Sequence, residues 1–118
     1  MSGDGGGGDR QEQRDDTYKE FKDAVNMTPR ALKDWLATDD SKSVGQSDGG
    51  GESVGHASGR RIIELLEKKK ADLTDSDIAH MRKVVGYVHR HLKQRPSGDV
   101  TETRWRYSLM NWGHDPVA

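Results

Sequence analysis

One stretch constrains this chain more than any other: TDSDIAHMRKVVGYVHRHLKQRP, Thr74 to Pro96. Within it Ile78, Met81, Val85, Val88 and Leu92 recur at intervals of 3, 4, 3 and 4, the apolar stripe of an amphipathic helix. Thr74 stands where an N-cap belongs, with Asp77 three residues on. That is a variant of the capping box, in which each side chain satisfies the other residue's backbone N–H. Pro96 closes the run, because the residue before a proline is biased away from helical dihedrals. The pattern predicts a helix over about 75–94. A helix with one apolar face must bury that face against other elements.

The rest of the chain supplies such partners sparingly. Only 31% of its 118 residues are apolar against 33% charged, which is material for one small core and no second domain. Tyr18, Phe21 and Val25 follow at spacings of three and four, predicting a helix over about 15–26. Ahead of it, MSGDGGGGDRQEQRDD has a glycine run, mixed charge and no apolar period. Residues 1–14 are expected to form a disordered tail, since burial there cannot offset the entropy of ordering. In NMTPRALKDWL, Thr28 is an N-cap, Pro29 suits the first helical position, and Met27 and Leu32 are placed for a hydrophobic staple. This is the clearest helix start in the chain, with Leu32, Trp35 and Leu36 as its buried stripe and an end near Ala37.

Residues 39–57 are rich in glycine and serine and are expected to be a long loop. The triplet SVG occurs at 43–45 and again at 53–55, so a short hairpin competes with a flexible loop there. Ser58 is then expected to cap a helix over about 58–70, with Ile62, Ile63, Leu65 and Leu66 as its apolar cluster. In the closing stretch RWRYSLMNWGHDP, Thr101 or Thr103 is placed to cap a helix over about 102–111. Trp105, Leu109 and Trp112 would form its inner side, Gly113 would end it, and Pro116 lies beyond. Trp105, Tyr107 and Leu109 also alternate as in a strand; the helical reading is preferred. The expected fold is all-α, a bundle of about four or five helices forming a single helical domain over 15–116.

Several classes of chemistry are set aside at this point. The chain has no cysteine, so it has no disulfide, thiolate metal site or cysteine nucleophile. No apolar run approaches the roughly 20 residues of a membrane span, and the N-terminus has no apolar signal region. A cytoplasmic protein is expected. His80, His89 and His91 do not pair at i, i+4, while His56 and His114 lie in separate segments, so no metal site is expected. His114 and Asp115 have the types of a base and its orienting carboxylate, but no nucleophile or second acid accompanies them. No enzyme activity, catalytic residue or cofactor is expected.

Charge is more informative in its distribution than in its sum of −1. Residues 60–95 hold ten Lys and Arg against five Asp and Glu, a net +5, whereas residues 1–16 carry −3. On the helix over 75–94, at about 100° per residue from Ile78, Val84, Val88, Met81, Leu92 and Val85 fill the arc from about 240° to 340°. Arg82, Lys93, Arg90 and Lys83 fall between about 40° and 140°. No acid lies between Asp77 and Asp99. Such a stripe suits phosphate neutralisation, with a simple solvated face as the competing explanation. The turn GHASGRR, Gly55 to Arg61, suggests a second anion site: a glycine-flanked helix start with free N–H groups, and Arg60 and Arg61 beside them. Plain capping by Ser58 competes with that, and the turn is no nucleotide P-loop. Arg104 and Arg106 flank Trp105 and extend the candidate basic surface. The expected function is DNA binding through phosphates without sequence preference, by Arg60, Arg61, Arg82, Lys83, Arg90, Lys93, Arg104 and Arg106. A protein-interaction or homo-oligomerisation module with an acidic partner is the alternative.

The strings TPRALKDWL, SKSVG, ESVGHASGRRIIELL, AHMRKVVGYVHRHLKQRP and TRWRYSLMNWGHDP together resemble one family, the small bacterial and fungal proteins grouped as domain of unknown function 3140. The resemblance spans roughly residues 18–116. Members are often labelled DNA-binding proteins, so the resemblance implies a DNA partner and a place at the nucleoid. It brings with it no catalytic residue and no cofactor.

Overall fold

A computed structural model describes residues 6–44 and 54–118. Among these the chain is all-helical, with six α-helices, one 3-10 turn and no strand. The helices are α1 (Gly6–Ala24), α2 (Pro29–Leu36), α3 (Asp39–Ser43), α4 (Val54–Glu67), α5 (Asp75–Leu92) and α6 (Arg104–Asn111). The 3-10 turn occupies Lys70–Asp72.

The longest predicted helix forms where its signals place it. Thr74 Oγ1 accepts from the Asp77 N–H at 3.1 Å and the Asp77 carboxylate accepts from the Thr74 N–H at 3.0 Å, completing the capping box of α5. Ile78, Met81, Val84, Val85 and Val88 are buried, while Leu92, at the last turn, is exposed where the expected stripe put it inside. α1 lies along α5 and α2 along α4, and α6 closes the bundle against α2, α3, α4 and α5. Phe21, Leu32, Ile62, Met81, Val84, Val88 and Leu109 are inaccessible to solvent and form the centre of the single core.

α2 starts as expected, with Thr28 accepting from the Ala31 N–H at 3.1 Å and Pro29 in the first turn. α6 is helical and not a strand, capped by Thr103. Its end is a Schellman motif: Gly113 N–H donates to Met110 O and His114 N–H to Leu109 O. Gly113 has φ +83°, and a Cβ there would lie 2.9 Å from Val25 Cγ1, so both backbone and space require glycine.

Three boundaries and one hairpin differ from expectation. α1 begins at Gly6, so it runs through much of the segment expected to be a disordered tail; residues 1–5 lie outside the described residues. Its anchor is electrostatic and distant in sequence. Arg14 donates to Asp75 Oδ1 at 2.7 Å and to Leu73 O at 2.8 Å, and Asp15 pairs with Lys70 at 2.9 Å. The expected loop over 39–57 is shorter, because Thr38 accepts from the Ser41 N–H and caps α3. Ser43 and the Val54–Gly55 pair are helical, which removes the hairpin of the two SVG triplets; residues 45–53 lie outside the described residues. Lastly, α4 starts at Val54, so Ser58 is inside the helix and buried, where its hydroxyl meets His80 Nε2 at 3.1 Å.

Candidate nucleic-acid interface

The α5 stripe survives as a surface. Arg82, Lys83, Arg90 and Lys93 are all exposed, and none forms an ion pair among the described residues. Some cations elsewhere take acids: Arg14 pairs with Asp75, Lys70 with Asp15, Arg61 and Lys68 with Asp77, and Arg106 with Asp115. The stripe is cationic because the 21 residues from Ile78 to Gly98 contain no acid to answer it.

The other candidates divide. Arg60 is exposed on α4 and Arg104 on α6. Arg61 is half-buried; its guanidinium donates to Asp77 Oδ1 at 2.9 Å and to Ser76 Oγ at 3.3 Å, locking α4 to the start of α5. It still lies near the stripe, since Arg61 and Lys83, after burial itself, both hold the His80 imidazole below its usual pKa. Arg106, expected on the outer side of α6, turns back instead. Nε and Nη2 grip both oxygens of Asp115 at 3.1 Å, and Nη1 donates to Thr101 O at 2.8 Å. That fork ties the C-terminal turn to α6, and the bidentate pair raises the guanidinium's pKa further.

The anion site expected at Gly55 to Arg61 is displaced: α4 starts at Val54, so Gly55 to Ala57 lie in its first turn, while Ser58, Arg60 and Arg61 lie inside the helix and not at its cap. The two glycines of the segment serve close packing. A Cβ on Gly59 would stand 2.7 Å from both Asn111 O and Leu36 Cδ2, and one on Gly55 would stand 3.3 Å from Trp112 Nε1. His114 does not meet Asp115: its Nδ1 lies 2.7 Å from Ala24 O, while Asp115 serves Arg106. His56 Nε2 lies 2.7 Å from Leu36 O. No group of three or more potential metal ligands converges among the described residues. No helix there is long and apolar enough to cross a membrane.

One feature was missed in the sequence. Trp112 inserts between His80 and Tyr87, which are two helical turns apart on α5, and Tyr87 stacks in turn on His91. Centroid separations along the series are 6.4, 4.2 and 4.5 Å, with planes within 18° of parallel. Three of these rings, Tyr87, His91 and Trp112, line a cleft of about 430 Å³ together with Val44, Val54, Gly55, Ser108 and Asn111. Asn111, buried, joins α6 to α2 and α3: Oδ1 accepts from Trp35 Nε1 at 2.7 Å and from Ser41 Oγ at 2.5 Å, and Nδ2 donates to Ser41 O. Burial, reinforced by Arg90, lowers the His91 pKa, and burial raises that of Tyr87. The spacing of 80, 87 and 91 on one helix face was a legible signal, but nothing local places Trp112 between them.

Among curated proteins and among solved structures, none matches the chain. A family model described as "Protein of unknown function (DUF3140)" matches residues 20–110, which run from the end of α1 into the last turn of α6. The chain therefore belongs to the DUF3140 family.

Proposed function

We propose that this protein binds DNA through its phosphates, without sequence preference, and that the α5 stripe is the contact surface. The observation that supports this is the row Arg82, Lys83, Arg90 and Lys93, exposed and without an ion pair among the described residues, in a segment with no acid from Ile78 to Gly98. An array of cations with no internal acid gains most from a polyanion, whose condensed counterions it releases. Arg60 and Arg104 extend the surface on α4 and α6; Arg61 and Arg106 are engaged by Asp77 and Asp115 and contribute to folding more than to contact. On this reading the protein is a binding module and not an enzyme, and its place is the cytoplasm, at the nucleoid.

The test is duplex affinity by fluorescence anisotropy across a range of salt. Four phosphate contacts give a slope of log K against log salt of about −3.6, and Arg82→Ala with Arg90→Ala together reduce it by about 2. Absence of binding at low salt, or a slope indifferent to the double substitution, refutes the proposal. A dimer that buries the stripe and ignores DNA would instead favour an acidic protein surface as the partner.

A further inference from the structure

Two of the three tryptophans bond their indole N–H internally, Trp35 to Asn111 Oδ1 at 2.7 Å and Trp105 to His91 O at 2.6 Å. Trp112 does not. It is 4% exposed, yet among the described residues its Nε1 has no acceptor. A buried indole N–H usually has a partner, and leaving it bare costs stability. The space before it is held open by Gly55, whose missing Cβ would sit 3.3 Å from Nε1, and Gly55 lines the same cleft.

The cleft's chemistry narrows what fits. Trp112 stacks with His80 and with Tyr87, and Tyr87 stacks also with His91. An occupant of the cleft therefore meets mainly the edges of the Trp112 and Tyr87 rings. Aromatic edges are electropositive, so they favour the π-face or an electronegative atom of a flat heterocycle. The bare N–H asks for a carbonyl oxygen or a ring nitrogen. Ser108 and the Tyr87 hydroxyl, which lies 3.4 Å from His91 Nε2, add adaptable polar contacts, while Val44 and Val54 supply aliphatic surface. At about 430 Å³ the cleft is within the range of about 300–1,000 Å³ usual for small-ligand sites. Beside it stands exposed Arg90, close enough to act electrostatically on both Tyr87 and His91.

We propose that this cleft receives a single nucleobase, hydrogen-bonded to Trp112 Nε1, with the adjoining phosphate on Arg90. The choice of a nucleobase rests on the DNA-binding reading above; the bare donor and the ring edges do not. The same chemistry is presented by an unpaired base of single-stranded DNA and by a free mononucleotide. A base inside a duplex is stacked and paired and cannot enter.

The experiment follows the three indole N–H signals of the ¹⁵N-labelled full chain by NMR. The probes are thymidine, thymidine monophosphate, a short thymidine-rich single strand and the corresponding duplex. The expected result is that the Trp112 signal moves with the monophosphate and the single strand, while those of Trp35 and Trp105 hold. Gly55→Ala, whose methyl would stand 3.3 Å from Trp112 Nε1, should weaken the monophosphate at least tenfold. Val54→Glu, a change at an exposed rim position, should weaken it several-fold without disturbing packing. Arg90→Ala should weaken the monophosphate and leave thymidine unaffected. A free mononucleotide is the physiological occupant if it binds as well as the single strand; a single strand is, if it binds at least tenfold tighter. A silent Trp112 signal with millimolar monophosphate and with single strand overturns the proposal, as does undiminished affinity in both Gly55→Ala and Val54→Glu. Salt-dependent duplex binding with a silent Trp112 signal overturns the cleft and leaves the phosphate reading standing. Monophosphate binding without duplex binding does the reverse.

Discussion

Replacing Asp77 with alanine removes, at one point, what joins α4, α5 and the segment between them. Asp77 Oδ1 accepts from Arg61 at 2.9 Å, and Oδ2 accepts from Lys68 at 2.6 Å and from the Thr74 N–H at 3.0 Å. Its side chain is 5% exposed, whereas those of Arg61 and Lys68 are 35% and 39% exposed, so both partners regain water when the acid is lost. Breaking one half of the capping box costs about 1 kcal/mol. Each ion pair, with a screened partner, adds about 0.5–1 kcal/mol. The sum, about 2–3 kcal/mol, lowers Tm by about 10 °C in a chain of this length. Thermal and urea unfolding followed by circular dichroism measures both quantities. A loss below about 0.5 kcal/mol would refute the reasoning, since the cap alone exceeds that.

The same residue sets a pH dependence of known sign. The Lys68 ammonium, with the Thr74 N–H and the Arg61 guanidinium, holds the Asp77 carboxyl far below its ordinary range in spite of burial. The unfolded chain therefore takes up this proton first as pH falls. The contribution is complete above about pH 5, declines below the unfolded pKa of about 3.9, and is lost as pH falls through the folded value. Stability curves of the parent and Asp77→Ala should converge toward low pH; parallel curves would assign the stabilisation to something other than the carboxylate's charge.

Two further substitutions check the packing. In Gly59→Ala, the new methyl meets Asn111 O and Leu36 Cδ2 at 2.7 Å, one of them backbone that cannot rotate away. Overpacking of about 1–3 kcal/mol should outweigh the roughly 1 kcal/mol that alanine gains over glycine in a helix, lowering the urea midpoint; a raised midpoint would contradict the close approach of α4 to α6. Trp112→Ala removes the ring between His80 and Tyr87 from a site 4% exposed, and should cost about 3–5 kcal/mol. A cost under about 1 kcal/mol would mean that the stack contributes little to the fold.

By itself the sequence determined what depends on neighbours within a turn or two. The cap at Thr74 with Asp77, the start of α2 at Thr28 and Pro29, and the turn at Gly113 all rest on bonds between residues at most five apart. The inner faces of α5 and α6 follow from a periodicity that needs no knowledge of what covers them, and failed only at Leu92, where the helix runs out past the core. The basic stripe was legible for the same reason: with no acid from Ile78 to Gly98, no local partner existed to neutralise it. What tertiary structure alone decided is where each long side chain ends. Arg61 and Arg106 look like their neighbours in the chain, yet one is held by a carboxylate sixteen residues away and the other by one nine residues away. Arg14, at the other extreme, ties α1 to residues 59 and 61 positions distant. The glycines of GHASG resemble a turn until α6 is brought against them, when they become the clearance for Asn111 and Trp112. A side chain several bonds long can reach any partner that folding brings near it, and its sequence neighbours do not determine which partner that is.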